Sequence, residues 1–216
     1  MAELSRKERE YLARKDEILN SAQKLFAERG FSRTTIQDIS RESEFAVATL
    51  YNFFKSKDEL YSALVERKTE NLFTAMKEAG KGEKGIGKIE RIVHAILEFF
   101  ENDRDFFRLY VIERSNFEWD IRSELGERCH EMYLQYVEHI KSAIEESMSR
   151  GELEERDSWD ISFFLSGILN AFIFRWVSSP DSYSLLEKHK TVMELFLSGA
   201  GKSQPGKKSS QRKGRS

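Results

Sequence analysis

Apolar residues along the chain recur at three- and four-residue spacing, and no stretch sustains the two-residue alternation of a half-buried strand. The pattern predicts helices throughout. Residues 5–29 form the first, with Ile18, Ala22, Leu25 and Phe26 as its buried stripe. Gly30 ends it, where a left-handed residue is usual. Residues 34–57 read as two short helices joined by a tight turn. Thr34 caps the first with Gln37 at capping-box spacing, and Ile36, Ile39 and Ser43 share one face. The chain breaks at residues 44–46. The second helix covers residues 47–54 and turns Leu50 and Phe54 inward. Ser56 with Glu59 offers another capping box, for a fourth helix carrying Leu60, Leu64, Leu72, Phe73 and Met76. That helix is long enough to leave one domain and enter the next.

Residues 80–87, GKGEKGIG, predict a flexible break. After it come a helix over residues 88–101, one capped by Asp103, a bend at 116–119, and a long amphipathic helix over 121–149 that Gly151 ends. Asp157 or Ser158 starts a helix over 159–177, Pro180 interrupts the chain, and residues 184–197 make the last helix. From residue 199 onward the chain reads as disordered. The fold class is all-α. Residues 1–56 form a three-helix domain containing a helix-turn-helix and a basic N-terminal arm. Residues 57–79 form a connecting helix, residues 80–199 a helical C-terminal domain, and residues 200–216 a basic tail.

The helix over 159–177 is apolar nearly all round. Ile161, Phe164, Leu165, Ile168, Leu169, Phe172, Ile173 and Trp176 form one face; Phe163, Phe174 and Val177 extend it, and Gly167 and Ala171 permit close approach. A small domain cannot cover an edge helix on every side, so the pattern predicts pairing with a second copy. Ile161, Phe164, Leu165, Ile168 and Phe172, with Val192 and Phe196 of the last helix, are the expected residues of that four-helix homodimer contact. Ser162, Ser166, Asn170 and Arg175 interrupt the run, which favours a doubly buried helix over a membrane span.

The net charge of −2 conceals an uneven distribution. Residues 1–60 carry 11 basic and 11 acidic side chains, and residues 202–216 carry six basic and no acidic ones, so the middle of the chain is strongly acidic. Any contact with a polyanion is therefore confined to the ends. Arg6, Lys7, Arg9, Arg14 and Lys15 cluster ahead of the first apolar face. The single cysteine, Cys129, excludes an internal disulfide and suits a reducing cytoplasm. There is no Gly-rich phosphate loop, no HExxH and no nucleophile elbow, so no enzyme activity, cofactor or metal is expected.

Residues 49–60, Thr-Leu-Tyr-Asn-Phe-Phe-Lys-Ser-Lys-Asp-Glu-Leu, closely resemble the recognition segment of the TetR family of bacterial transcription regulators. The likeness runs back through Ile18-Leu19-Asn20-Ser21-Ala22 and Leu25-Phe26-Ala27-Glu28-Arg29-Gly30-Phe31. The resemblance implies a dimeric, ligand-responsive repressor, released from a palindromic double-stranded DNA operator by a small hydrophobic effector. It implies DNA contacts by Thr35, Gln37, Thr49, Tyr51, Asn52 and Lys57; Val47 and Ala48 at the start of the recognition helix and the positive charge of Lys55 at its end add three further candidates. It also implies an effector cavity in the C-terminal domain, for which Phe99, Phe106, Phe107, Tyr110, Trp119, Tyr133, Tyr136, Phe163 and Phe172 are the candidate lining. Four departures bear on it. Glu44 stands where the turn usually has glycine, Ala46 where a serine usually caps the recognition helix, Val47 and Ala48 where polar or basic residues are common, and Phe53 where a His or Tyr usually binds phosphate. Thymine-methyl contacts through Val47 and Ala48, and compensation by the basic arm or tail, are the corresponding expectations. The alternative is a ligand-binding or protein-interaction module of the same fold whose DNA binding is weakened or lost.

Overall fold

The computed structural model describes residues 5–106, 124–179 and 183–200. Among them the regular elements are helices: α1 (Arg6–Arg29), α2 (Ile36–Ser43), α3 (Val47–Phe53), α4 (Lys57–Ala79), α5 (Gly85–Asn102), α6 (Glu124–Ser149), α7 (Ser158–Ser178), a 3-10 turn (Leu186–Lys188) and α8 (His189–Ala200). This is the expected all-α class.

The first three helices enclose Ile18, Leu19, Ala22, Leu25, Phe26, Ile36, Ile39, Leu50 and Phe54. Burial of each of the large side chains among them contributes about 1.5–3 kcal/mol, which is what holds two helices as short as α2 and α3 in helical form. The core continues without a break along Leu60, Leu64, Leu72 and Met76 of α4 into the C-terminal helices. There α4 packs on α5 and α6, α5 packs on α6, α7 and α8, and α6 packs on α7.

Three starts differ from the sequence pattern. Thr35, not Thr34, caps α2; its hydroxyl accepts from the Asp38 amide while the Asp38 carboxylate accepts from the Thr35 amide. Thr34 is buried and its hydroxyl donates to the Gly30 carbonyl at 2.9 Å. Gly30 itself has a positive φ of 81° but an extended ψ of 160°, so it leaves α1 without the left-handed turn. The second difference is α5, which begins at Gly85, inside the expected break. Glu152, 66 residues away, accepts from the Ile86 amide at 2.7 Å. Gly85 has φ +56° and lies so close to the Glu152 carboxylate that a Cβ would overlap it. The Arg150 side chain, followed by that amide, holds the Glu152 carboxyl below the usual range, so it is ionised and able to cap.

The last helix also starts later than its pattern suggests, at His189 after the 3-10 turn. The Glu101 carboxylate accepts from the Ser184 hydroxyl and the Leu186 amide there. The basic residues of 202–216 lie outside the described residues.

Helix α7 turns Ile161, Leu165, Leu169, Ile173 and Trp176 into the chain's own core, together with Val192 and Phe196 of α8. Of the residues expected at the subunit contact, Ile161, Leu165, Val192 and Phe196 are thus buried within the chain's own core. Ile168 and Phe172 are half-buried against the same core. What α7 and α8 leave outside is Trp159, Phe163, Phe164, Phe174 and Leu195, with open space around Gly167. α7 is long and apolar enough to cross a membrane by length and composition, but its inward stripe is that of a core helix.

Candidate nucleic-acid interface

The turn between α2 and α3 sets the angle at which α3 leaves the domain. Its sharpest residue is Glu44, the C-cap of α2, with φ 58° and ψ 17°. It is the one non-glycine residue with positive φ among the described residues. The Ser40 hydroxyl donates to the Phe45 carbonyl at 2.6 Å, closing the turn. Ala46 then caps α3 without a side-chain hydrogen bond. Both expected departures are thus local weaknesses in the backbone. Glu44→Gly should raise stability by about 0.5–1 kcal/mol and Ala46→Ser by about 1 kcal/mol. Denaturant midpoints check this, and an unchanged midpoint for both would remove the strain argument.

With Leu50 and Phe54 buried, α3 presents Ala48, Tyr51 and Asn52 to solvent, and Tyr51 is 51% exposed. Thr49 and Val47 are half-buried on its flanks, and Val47 packs against the core, so its methyls are less available than those of Ala48. Lys55 is exposed just beyond the helix, and Gln37 is exposed on the first turn of α2. Gln37 on α2 and Ala48, Tyr51 and Asn52 on α3, with Lys55 just beyond, are thus exposed on and beside two helices that pack on each other.

Two candidate contacts are already engaged. The Thr35 hydroxyl lies 2.6 Å from the Asp38 carboxylate, which also pairs with Arg41. The Thr35 hydroxyl and amide hold that carboxyl below its usual range, so a fixed negative charge sits beside Thr35. Lys57 donates from Nζ to the carbonyls of Phe31 and Thr34 at 2.8 and 2.9 Å and lies 4.2 Å from the Phe31 ring centroid. It ties the start of α4 to the loop between α1 and α2. The capping box at α4 is half made: Ser56 accepts from the Glu59 amide, while the Glu59 carboxylate accepts from Lys55 rather than Ser56.

Residues 18–64 match the family model described as bacterial regulatory proteins, tetR family. That segment is a TetR-type DNA-binding domain, and α2 and α3 are its helix-turn-helix. The fatty acid metabolism regulator protein of Bacillus subtilis (strain 168) is 23% identical over 186 residues, covering 85% of this chain and 93% of that one. Two solved structures share the fold. FadR, a fatty acid degradation regulator from Bacillus halodurans, has a TM-score of 0.76 at 19% identity, covering 86% of this chain and 95% of its own. FadR from Bacillus subtilis in complex with stearoyl-CoA has a TM-score of 0.75 at 21% identity, covering 85% and 97%.

In the C-terminal helices the aromatic residues expected to line a cavity fall into two groups. Phe106 is buried against Phe99 with centroids 6.3 Å apart at the end of α5. Tyr136 is buried beside Tyr133 at 6.1 Å, and Tyr133 lies 6.1 Å from Phe163. Phe163 is 40% exposed and stacks on Trp159, so it belongs to the surface of α7 rather than to an interior lining. Phe172 packs half-buried against the core. Phe107, Tyr110 and Trp119 lie outside the described residues.

A feature that sequence reasoning missed joins the two domains. Asp103, at the C-terminus of α5, pairs with Lys68 of α4 and accepts from Gln23 Nε2 of α1. It also accepts from the Phe106 amide at 3.2 Å. One carboxylate therefore touches the DNA-binding domain, the connecting helix and the backbone of a candidate effector residue. The capping signal of Asp103 was legible, but partners 35 and 80 residues away leave no periodic trace.

Proposed function

We propose that the chain is a dimeric repressor that binds a palindromic operator and is released by an amphiphile with a long acyl chain. The observation that carries the reading is the exposed face of α3, with Ala48, Tyr51 and Asn52 outward, on a helix connected through α4 to the C-terminal core. Such a face suits a major groove: Asn52 can pair with an adenine edge, Ala48 with a thymine methyl, and Tyr51 and Lys55 with phosphates. Gln37, at the first turn of α2, is in reach of the flanking backbone.

Two α3 helices must be held about one DNA turn apart, which requires a second copy. The outward residues Phe164, Phe174 and Leu195, with Gly167 open between them, support a two-fold contact made by α7 and α8. The effector class is supported by the fold likeness to a regulator solved with stearoyl-CoA and by the buried rings of Phe106 and Tyr136, with the half-buried Phe99 beside Phe106. Occupation of that region shifts α4 and with it the spacing of the α3 pair.

The test is a gel shift with duplex DNA taken from either side of the chain's own gene, titrated with stearoyl-CoA or with coenzyme A alone. Retardation that stearoyl-CoA reverses and coenzyme A does not is the expected result. Retardation that neither reverses removes the effector class. No retardation at low salt favours a second reading, a binding module without DNA contact, which the uncapped Ala46 and the occupied Phe53 support.

A further inference from the structure

The outer half of α1 has no core to cover, yet it is held in place. The stripe that buries Ile18, Ala22 and Leu25 continues towards the N-terminus through Lys7, Tyr11, Arg14 and Lys15 at helical spacing. Along the way it changes from apolar to basic, with one ring. Tyr11 rests on Phe53, with centroids 4.7 Å apart and planes at 33°. Lys15 Nζ lies 5.8 Å from the Phe54 ring centroid. Phe53 is the last residue of α3 and Phe54 its C-cap. The outer half of α1 therefore runs along the flank of the groove helix. A solvated helical end frays unless something docks it, and the ring pair supplies that contact.

The geometry of duplex DNA decides what this flank meets. The major groove is about 12 Å wide and a helix with its side chains is about 10–12 Å across. α3 fills the groove, so a helix beside it lies over the wall, which is a sugar-phosphate strand. Among the described residues neither the Lys7 nor the Arg14 side chain has a hydrogen bond or ion pair, whereas Arg6 is paired with Glu10 at 2.8 Å.

We propose that Lys7, Arg14 and Lys15 form a phosphate-binding strip beside each α3, positioned by Tyr11 seated on Phe53. Phe53 has no polar atom for a phosphate; it serves instead as the seat that brings these cations to the backbone. The proposal rests on α3 being the groove helix. Tyr11 acts as a positioning residue, and Arg14 as a direct phosphate ligand.

The experiment measures affinity of the full chain for the same duplex across a salt series. Each phosphate contact contributes about 0.9 to the slope of log K against log salt, so Arg14→Gln lowers the slope by about 1.8 per dimer. Tyr11→Ala lowers it at least as much, Arg14→Gln added to Tyr11→Ala changes it little further, and Tyr11→Phe restores the wild-type slope. Circular dichroism of each variant confirms that the core, which contains neither residue, is intact. If wild type binds while Tyr11→Ala and Arg14→Gln keep its slope, the strip does not exist. A wild-type chain that binds no duplex at low salt takes down the reading of α3 and the strip together.

Discussion

Phe174→Glu yields a folded single subunit whose affinity for its operator is about 10²–10⁴-fold lower. The ring is 52% exposed and outside the core, so its loss leaves the monomer intact. A carboxylate on a two-fold contact faces apolar surface and lies close to its own symmetry mate, and both are unfavourable. Once the copies separate, each α3 binds without the effective concentration that its partner provides, which accounts for the size of the loss. Sedimentation velocity reads the subunit state and a duplex titration reads the affinity. A variant that stays dimeric moves the contact to some other face. The neighbouring Phe164 is a poorer probe, because its ring packs against Phe196 and sits close to Gly199 within the same chain.

The second large effect is at Asp103. Its side chain and that of Lys68 are 19% and 14% exposed, and Gln23 is 8% exposed. Asp103→Ala leaves an ammonium and an amide with little water and no acceptor, so stability falls by about 2–3 kcal/mol. Adding Lys68→Met removes the stranded charge and recovers a large part of the loss. Urea midpoints of the wild type, the two single variants and the double variant measure the coupling; strictly additive changes mean that the pair carries no interaction. The same carboxylate accepts from the Phe106 amide, so the variant also separates the state of the C-terminal rings from the position of α1.

The class, the helix order and the recognition segment were legible because each rests on local signals: apolar spacing, caps and a specific run at residues 49–60. The errors came where a local signal had a rival or where the deciding partner was remote. Thr34 and Thr35 both precede a polar residue at the right spacing, and only the burial of Thr34 against the Gly30 carbonyl decides for Thr35. α5 starts early because Glu152 reaches its first turn. α7 is apolar on all sides, so its pattern has no preferred direction. Packing against α5 and α6 selects Leu165 and Ile173 for the interior and leaves Phe163 and Phe174 outside. Phe53 read as a lost phosphate ligand, because nothing in its neighbourhood of sequence points to a tyrosine 42 positions earlier.

Helix α4 is unbroken over 23 residues, so it behaves as a rigid lever about 34 Å long. A pivot of about 5° at the far end swings Lys57 through about 3 Å, close to the rise of one base pair. A wedge no thicker than one hydrocarbon chain is then sufficient to throw two reading surfaces out of phase with a helical target. Neither a deep chamber nor a large rearrangement of the C-terminal helices is required.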